Sequence, residues 1–438
     1  MLNRLSSFKI ISLSFLLLIF LGTVLLMLPV ATNDGRGAPL LTALFTTVSA
    51  SCVTGLTVEN TALYWSHWGQ AVILVLIQIG GLGVVTMAVA LTMASGKRID
   101  LRQRSTIQEA WGCSQLGGIV RILRFVLKLT VGMELLGAAL LAPVFCRDYG
   151  LLQGAWMALF HAVSAFCNAG FDLMGERGGG SLMAYAGDPV VNLVIIGLII
   201  SGGLGFITWA DLYDKRWHWK QYQVQTKIIL CMTAGLILLP AALLFFRDLA
   251  AEPLQHRLFM ALFQAVTPRT AGFNTMDIES LTEAGRIVLV GLMLTGGAPG
   301  STAGGVKVTT AFVLMASAAA SLRMKTDIEC FKRRIAPQSL QQAVTIFLLY
   351  LSLFAGSTFL ISEIDAIPVI DCMVETSSAL GTVGLSIGLT EHLSVISQLI
   401  LIGLMYFGRV GALTMIYSLN NQYRPNRGRL PEEKITVG

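Results

Sequence analysis

The chain has 438 residues, of which 54% are hydrophobic and only 13% are charged, and its mean hydropathy is +0.70. This composition excludes an ordinary soluble domain and predicts a polytopic membrane protein. The net charge of +6 comes from basic residues in short segments between apolar runs, so we do not expect a nucleic-acid surface.

Eight apolar segments each approach or exceed the roughly 20 residues that a helical span of a bilayer requires. In chain order the predicted spans are 10–30, 71–94, 119–144, 190–207, 228–246, 287–322, 343–361 and 396–419. The first is longer than the apolar core of a signal peptide and no clear small-x-small cleavage site follows it. We therefore expect it to remain as a membrane anchor.

Lysine and arginine concentrate between the predicted spans on one side and at the two ends of the chain. Five segments hold 22 of the 31 basic residues: 4–9, 97–128, 215–227, 323–334 and 424–434. Since positively charged segments are retained in the cytoplasm, both termini are predicted to be cytoplasmic. The same charge predicts attraction to anionic membrane lipid of the inner leaflet.

An internal repeat organises the whole chain. Similar short segments occur at 43–49, 158–164 and 261–267, with a degenerate copy at 373–379. Each is followed by a single glycine and later by a second glycine-rich element. The single glycines are Gly55, Gly170, Gly272 and Gly384, and the later elements begin at Gly80, Gly202, Gly296 and Gly408. The sequence thus contains one unit four times.

The fold class predicted from this repeat is an all-α polytopic membrane protein, with four pseudo-symmetric helix–pore loop–helix repeats around a central ion pore. The short segment of each repeat, such as 40–50, is roughly 16 Å long as a helix and cannot cross a hydrocarbon core of about 30 Å. It must therefore enter the membrane and return. The predicted repeat limits are 1–96, 97–216, 217–332 and 333–438.

Four re-entrant segments around one axis would line that axis with backbone carbonyl groups, which can replace the hydration shell of a potassium ion. Glycine suits such a wall because it adopts the required backbone angles and carries no side chain. Acidic residues in the outer loops, Glu59, Asp172 and Asp277, would concentrate cations there. The alternative is that they are ordinary solvated loop residues.

The stretches 53–57, 168–171, 270–273 and 382–386 resemble the four filters of the Trk/Ktr/HKT superfamily of potassium-translocating proteins. The resemblance covers nearly the whole chain and includes 300–307 and 408–411, which are similar to that family's intramembrane loop and pore-facing arginine. Eight spans without an added N-terminal helix pair make the chain most similar to the KtrB membrane subunit.

The resemblance implies potassium uptake across the bacterial cell inner membrane, with K⁺ as the substrate ion and Na⁺ as a candidate coupling or activating ion. It also implies a homodimer and a cytosolic nucleotide-binding regulatory subunit of the KtrA type. The implied potassium-binding filter residues are Val53, Thr54, Gly55, Asn168, Ala169, Gly170, Thr270, Ala271, Gly272, Thr382, Val383 and Gly384.

The four repeats are not identical. On the alignment of the short segments, the fourth carries Glu375 where the first three carry Phe. The glycine follows Phe263 and Glu375 by nine residues, but Phe45 and Phe160 by ten. We therefore expect four walls that are similar without being equivalent.

One predicted span is too long to be a single helix. Residues 285–322 would extend about 57 Å as a helix, roughly twice the thickness of the bilayer core. The polar, glycine-rich run from Thr295 to Lys307 is therefore predicted to be a non-helical insert, and Pro299 supports the break. A phosphate-binding loop is not expected because the spacing of glycine and lysine is wrong. Close helix packing through small residues is the remaining alternative.

Arg409 lies within the last predicted span, where a charged side chain usually faces a cavity or a partner. Snorkelling to the interface is the alternative. We hypothesise that the insert lies across the pore beneath the filter and that Arg409 hydrogen-bonds its carbonyl groups. The predicted gate residues are Gly296, Gly297, Pro299, Gly300, Ser301, Thr302, Gly304, Gly305, Lys307 and Arg409.

No catalytic constellation accompanies these features. The chain has no H-E-x-x-H and no paired intramembrane carboxylates, and its G-x-S-x-G match at 384–388 overlaps the fourth filter stretch. We therefore do not expect an enzyme, a covalently bound cofactor or a metal other than K⁺. An alternating-access cation carrier is the main alternative function. The seven scattered cysteines are predicted to be buried packing residues, with Cys52 and Cys167 next to the filters. His161 is predicted to be packed or hydrogen-bonded rather than a ligand.

Overall fold

A computed structural model describes residues 6–95, 99–111, 118–175, 180–216 and 218–419. Within these ranges the regular secondary structure is almost entirely helical. The basic cluster predicted at 424–434 lies outside the described residues, as does part of the cluster at 97–128. The expected repeat limits 96/97 and 216/217 also fall at residues outside them, and the limit 332/333 falls within a hairpin turn.

The described residues of the first two repeats form ten α-helices. They are α1 (Ser7–Leu26), α2 (Leu40–Cys52), α3 (Thr61–Tyr64), α4 (His67–Leu82) and α5 (Val84–Ala94), followed by α6 (Leu101–Trp111), α7 (Ile119–Tyr149), α8 (Leu151–Cys167), α9 (Pro189–Gly203) and α10 (Phe206–Lys215).

The last two repeats contain eight more helices and a short hairpin between them. They are α11 (Val224–Phe246), α12 (Leu254–Val266), α13 (Glu283–Leu294), α14 (Val308–Leu322), β1 (Glu329–Cys330), β2 (Arg333–Arg334), α15 (Pro337–Asp365), α16 (Val369–Gly381), α17 (Val395–Val410) and α18 (Ala412–Leu419). The strands pair antiparallel, with Glu329 opposite Arg334. The all-α prediction is confirmed, with this hairpin as a small addition.

The first span of every repeat is one continuous helix. Helices α1, α7, α11 and α15 are 20 to 31 residues long and apolar enough to cross a membrane by themselves. Their outward faces expose large apolar side chains such as Leu17, Leu135, Leu238 and Phe347. Exposed leucine and phenylalanine on long helices are expected where the solvent is lipid.

The second span of every repeat is broken, which corrects the prediction of single helices at 71–94, 190–207 and 396–419. Helices α4 and α5 are bent by 95° and α9 and α10 by 96°, and α17 and α18 also end and begin at a break. The break residues are Gly83 (φ 87°, ψ 132°), Gly205 (φ 87°, ψ 140°) and Gly411 (φ 88°, ψ 142°). L-residues rarely adopt this conformation, so glycine decides where these spans bend.

One shorter helix lies between the two spans of each repeat. These four helices, α2, α8, α12 and α16, are the predicted pore helices. They have 13 to 17 residues, too few to cross about 30 Å of hydrocarbon. Proline precedes three of them, as Pro39, Pro253 and Pro368. Their second halves are buried almost without exception, so the pore helices form the centre of the molecule and the continuous spans surround them.

Candidate functional site: an ion pore with an inner gate

The glycines that follow the four pore helices form a closed ring. A methyl group on Gly55 would lie 3.1 Å from the Cα of Gly170, and one on Gly170 would lie 2.9 Å from the Cα of Gly272. A methyl group on Gly272 would lie 3.1 Å from the Cα of Gly384, and one on Gly384 would lie 2.9 Å from that of Gly55. The contacts therefore run through the repeats in order and return to the first.

The ring requires glycine for two independent reasons. All four glycines have positive φ angles, between 67° and 95°, which other residues adopt only with strain. A side chain would also collide with a carbonyl oxygen of the next repeat. These carbonyl groups belong to the residue before each glycine: Thr54, Ala169, Ala271 and Val383. Four carbonyl groups, one from each repeat, thus belong to the same ring.

The chain reverses direction at the end of each pore helix. In the first repeat the cap residue Val53 has φ 58° and ψ 51°, its N–H donates to Ala50, and the N–H of Thr54 donates to Ser49. Asn168 and Thr382 cap α8 and α16 in the same way. This is the Schellman arrangement, usually made with glycine. In the third repeat α12 ends earlier and Thr270 is the residue with positive φ.

A hydroxyl group from each pore helix braces the filter that follows it. Ser49 Oγ accepts a hydrogen bond from the N–H of Gly55 (3.1 Å), and Ser378 Oγ accepts one from Gly384 (3.0 Å). In the other two repeats the hydroxyl donates to the carbonyl after the glycine, with Ser164 bonded to Phe171 and Thr267 to Phe273, both at 2.7 Å. The last hydroxyl residue of the repeated segment therefore has a structural function that sequence reasoning missed.

These braces correct the alignment of the fourth repeat. Ser378 precedes Gly384 by six residues, as Ser49 precedes Gly55, so Val374 occupies the position of Phe45. The alignment of Glu375 with the phenylalanines is wrong by one residue, because similarity of the short segment did not reveal the helical register. Only the third repeat is shorter, since Thr267 precedes Gly272 by five residues.

Glu375 instead occupies the position of His161 in the second repeat, and both support the loop after their filter. Glu375 accepts hydrogen bonds from Ser386 Oγ (2.5 Å) and Thr390 Oγ1 (2.6 Å). His161 Nε2 accepts one from the N–H of Leu173 (3.3 Å), which leaves Nδ1 to donate to the carbonyl of Met157. The prediction that His161 is hydrogen-bonded and packed is confirmed.

Asn168 connects the second filter with the third. Its amide makes the most hydrogen bonds when the nitrogen donates to the carbonyl groups of Ala165 (3.0 Å) and Ile199 (3.2 Å) and the oxygen accepts from Thr270 Oγ1 (3.2 Å). This orientation satisfies a buried amide completely on both sides. Of the twelve predicted filter residues, only Gly384 is partly exposed.

The glycine-rich segment of the third repeat lies outside both neighbouring helices. Helix α13 ends at Leu294 and α14 begins at Val308. Thr295 and Val306 pair in a short parallel bridge, and the N–H of Gly296 donates to the carbonyl of Val306 at 2.8 Å. The two ends of the insert are therefore held together, and residues between them form a loop.

The loop is bonded to the second repeat. The N–H of Ala298 donates to Gly203 (2.9 Å), and the N–H of Phe206 donates to the carbonyl of Gly300 (2.8 Å). Thr302 Oγ1 donates to the carbonyl of Phe166 (3.2 Å), near the end of the second pore helix. The bend between α9 and α10 thus provides the edge to which the insert attaches.

Arg409 connects the insert with two further repeats. Its guanidinium donates to the carbonyl of Thr302 in the insert and to the carbonyls of Gly80 (2.5 Å) and Gly81 (2.9 Å) in the first repeat. Lys307 donates to the carbonyls of Ala303 (2.6 Å) and Gly304 (3.3 Å). Neither side chain forms an ion pair within the described part of the chain, so the positive charge of Arg409 at the insert is balanced by backbone carbonyl groups alone.

An inner cavity of about 630 Å³ adjoins this charge. It is lined by insert residues including Pro299 and Gly300, by Lys307 and Arg409, and by the break residues Gly83 and Gly411. The insert and Arg409 therefore contribute to the lining of this cavity, and the filter residues do not.

The outer acidic residues differ in their surroundings. Asp277 is exposed and caps a short helical turn by accepting from the N–H of Glu279 (2.9 Å), which agrees with an ordinary loop function. Asp172 is partly buried, accepts from the N–H of Met174 (3.0 Å), and burial raises its pKa to about 6. Burial also raises the pKa of Glu59, with a further contribution from Glu391.

The cysteines only partly match their prediction. Cys52, Cys167 and Cys372 are buried, whereas Cys146 and Cys330 are partly exposed and Cys231 is exposed. Cys113 lies outside the described residues. Because Cys52 and Cys167 are both fully buried, thiol reagents do not reach the filters through them in this conformation.

These features match one known family along the whole chain. The sequence profile of TrkH, described as a cation transport protein, matches residues 3–422. The chain belongs to the TrkH cation transport family. Since the family consists of cation transporters, the prediction that the chain is not an enzyme is confirmed, and it is a multi-pass membrane protein.

Relatives within the TrkH family are similar over their full length. The potassium/sodium uptake protein NtpJ of Enterococcus hirae is 38% identical, covering 100% of this chain and 98% of the relative. The Ktr system potassium uptake protein B of Bacillus subtilis is 37% identical, covering 98% and 96%. The protein of the same description from Vibrio alginolyticus is 33% identical, covering 98% and 94%.

The fold of the TrkH family is also seen in a solved structure. The crystal structure of the potassium transporter TrkH from Vibrio parahaemolyticus superposes with a TM-score of 0.76, covering 95% of this chain and 86% of that one. At 19% identity this similarity establishes the fold. It supports the arrangement of four repeats around a central pore.

In three of the second spans, the glycine-rich element contains two glycines with different structural roles. The sequence analysis did not distinguish these roles. A side chain on Gly80 would collide with the carbonyl of Ser51, and one on Gly202 with that of Phe166. A side chain on Gly408 would likewise collide with the carbonyl of Leu380. The first glycine of each element thus allows contact with a pore-helix end, and the glycine three residues later makes the bend. The recurrence of two glycines three residues apart was the available signal.

Proposed function

We propose that this chain is the pore-forming subunit of a potassium uptake system in a bacterial cell membrane. The closed ring of four filter glycines carries the proposal. A ring of carbonyl dipoles around one axis can replace the hydration shell of K⁺, and the ring contacts include one carbonyl group from each repeat. Potassium is also the ion named in the descriptions of the relatives.

The substrate ion would be held by backbone groups of the predicted filter residues. The pore helices α2, α8, α12 and α16 end at the filters, so the negative ends of their dipoles favour a cation there. Na⁺ is proposed as a coupling or activating ion, as the description of the Enterococcus relative includes sodium. Charged outer residues such as Asp172 would raise the local concentration of cations.

We propose that the insert 295–307 is the gate. Its contacts support this function, because the loop is bonded to the second repeat and through Arg409 to the first. Arg409 and Lys307 add positive charge on the route between the filter region and the inner cavity. A positive barrier in a narrow, water-poor passage opposes cation flow until the insert moves.

The proposed location has both termini in the cytoplasm, because the basic segments then remain inside. The proposed assembly is a homodimer with a cytosolic nucleotide-binding subunit of the KtrA type. The full-length similarity to Ktr system B subunits supports this assembly.

Rubidium uptake tests the main proposal. Purified protein in liposomes loaded with K⁺ should take up labelled Rb⁺ from a medium low in K⁺, because the outward K⁺ gradient makes the interior negative. We expect excess external K⁺ to prevent this uptake strongly and Na⁺ weakly. Parallel reactions with and without Na⁺ measure sodium dependence. Uptake equal to that of empty liposomes would refute a potassium pore.

The gate has its own test. Removal of Gly300–Ser301, or Arg409→Ala, should raise Rb⁺ flux, because either change loosens the loop or removes its positive anchor. Arg323→Ala is the matched control, since it removes an exposed arginine at the end of α14. If the folded gate variants carry the same flux as the wild type, the insert is not the gate.

A further inference from the structure

Glu134 is a buried acidic residue in the middle of the continuous span α7. It is only 6% exposed, and α7 runs for 31 residues from Ile119 to Tyr149. Glu134 forms no ion pair within the residues that the structure describes. It is not one of the filter or gate residues, so the proposed mechanism leaves it without a function.

Two polar side chains from different elements lie beside this carboxyl group. Gln78 Nε2 on α4 is 3.4 Å from one carboxyl oxygen, and Cys167 Sγ at the end of α8 is 3.9 Å from the other. Cys167 Sγ is also 3.7 Å from Gln78 Oε1. The three side chains form a compact buried group where the first repeat meets the second pore helix.

An isolated carboxylate at membrane depth is expensive unless its charge is neutralised. We propose that Glu134, with Gln78 and Cys167, is a binding site for one small monovalent cation, H⁺ or Na⁺, whose occupation sets the strength of the gate. The inference rests on the proposed function, because it assigns a regulatory or coupling ion to that same pore.

The position of the group connects it with both the filter and the gate. Gln78 precedes Gly80 and Gly81 in α4, whose carbonyls accept the hydrogen bonds of Arg409. A methyl group on Gly81 would lie 2.7 Å from Cys167 Sγ. Neutralisation or release of the Glu134 charge therefore acts on the helix turn that anchors Arg409.

Among the described residues, no acidic or basic side chain forms an ion pair with Glu134. Helix α4 carries only the exposed His67, and α8 carries only His161, which is hydrogen-bonded to Met157 and Leu173. Helices α5 and α9 contain no charged residue.

Within α7, the charged residue nearest to Glu134 in sequence is Lys128. The charged residues of α6 and α10 are on separate short helices outside this continuous span. The nearest described cation along the contact network is Arg409, which is bonded to the neighbouring carbonyl groups.

A direct binding measurement tests the site without relying on transport. Infrared difference spectra of the purified protein in lipid, recorded as pH or Na⁺ is changed, should show a buried carboxyl band that is missing in Glu134→Gln. A proton site gives a band that depends on pH alone. A sodium site gives a band that added Na⁺ also diminishes, because Na⁺ displaces the proton.

Rubidium uptake then tests the effect on the gate. Asp172→Asn, which lacks the titrating carboxyl group of the outer loop, should still change its uptake with pH or with Na⁺. Adding Glu134→Gln to that variant should abolish the response while retaining uptake. Glu363→Gln, which removes an exposed carboxyl group from α15, is the matched control and should retain the response. Gln78→Leu, which keeps the carboxyl group, should shift the midpoint of the infrared titration and provides a second variant if Glu134→Gln folds poorly.

Identical infrared responses in the wild type and a folded Glu134→Gln would overturn the site. A normal band with an unchanged uptake response would overturn its coupling to the gate. Absence of uptake in every variant, with the band present, would contradict the proposed function while leaving the ion site established.

Discussion

The filters and the helix breaks belong to the same four repeats, yet the two rings that they form differ in symmetry. At the filter level four glycines are in equivalent contact around a closed ring. At the break level three repeats use a single glycine, Gly83, Gly205 or Gly411, whereas the third uses the insert 295–307. The chain keeps one ring regular and makes the other irregular.

This difference has a physical basis. A cation on the axis is best held by ligands at equal distances, so every repeat must provide the same backbone geometry. A gate requires an element with more than one stable arrangement, and a loop held by a few hydrogen bonds is easier to displace than a packed helix. The regular ring suits selection, and the irregular ring suits control.

The largest effect is expected in the regular ring. Gly170→Ala would place a methyl group 2.9 Å from the Cα of Gly272 at a positive φ angle. Backbone strain alone costs about 1–3 kcal/mol, and the collision adds to it, so Rb⁺ uptake should fall on the order of 100-fold. The measurement is Rb⁺ uptake in liposomes with Na⁺ as competitor.

Gly388→Ala is the matched control for that change. Gly388 has a similar φ of +85° but no neighbour within 4 Å of an added methyl group. Uptake by this variant should stay within about twofold of the wild type, since an added methyl group at Gly388 meets no neighbouring atom of the ring. Equal losses in both variants would mean that strain, and not the ring, determines uptake.

At the break level, the same Gly→Ala substitution should reduce the stability of the protein by different amounts in different repeats. Gly205→Ala and Gly411→Ala impose similar strain, but only Gly205 has close neighbours, with the carbonyl of Pro299 at 2.7 Å from an added methyl group. Gly205→Ala should destabilise the protein by about 2 kcal/mol and Gly411→Ala by about 1 kcal/mol. Thermal unfolding in detergent measures both, and the reverse order would contradict the contact between the bend and the insert.

A smaller effect is expected from one hydrogen bond of the gate. Thr302→Val removes the bond from Thr302 Oγ1 to the carbonyl of Phe166, worth about 1 kcal/mol. If the bond holds the closed state, the open population and the Rb⁺ flux should rise about fivefold. Thr309→Val, the same change on α14 outside the insert, should leave the flux unchanged.

The smallest effect is expected at the outer mouth. Burial raises the pKa of Asp172 to about 6, so its carboxyl group is mostly neutral at about pH 5 and charged at about pH 7.5. Rb⁺ uptake should rise two- to threefold as the external pH increases through this range, because the charge attracts cations. In the Glu134→Gln background, Asp172→Asn should remove the rise, and a double variant that retains it would assign the titration to another group.

Much of the site could be predicted from local sequence because its residues are determined locally. The insert and the filter glycines are runs that no continuous apolar helix accommodates, and their spacing identifies the repeats. The register of the fourth pore helix could not be obtained in this way. It depends on the hydrogen bond from Gly384 to Ser378, and segment similarity alone placed Glu375 one residue away.

The single-glycine bends were also missed for a physical reason. One glycine in an apolar span is compatible with a continuous helix, and length alone revealed a break only where the third repeat was too long. The pore-helix ends are met by Gly80, Gly202 and Gly408, three residues before each bend, and of the bend glycines only Gly205 packs against the insert. These contacts between distant segments are not visible in a local apolar run.

The sequence by itself determined the membrane class, the four repeats, the filter positions and the need for a break between Leu294 and Val308, because each follows from composition, periodicity or length. Only the tertiary structure decided that the four glycines close into one ring, that Arg409 joins three repeats, and that Glu134 lies beside Gln78 and Cys167. These contacts join residues far apart in the chain, and their geometry depends on how the helices pack.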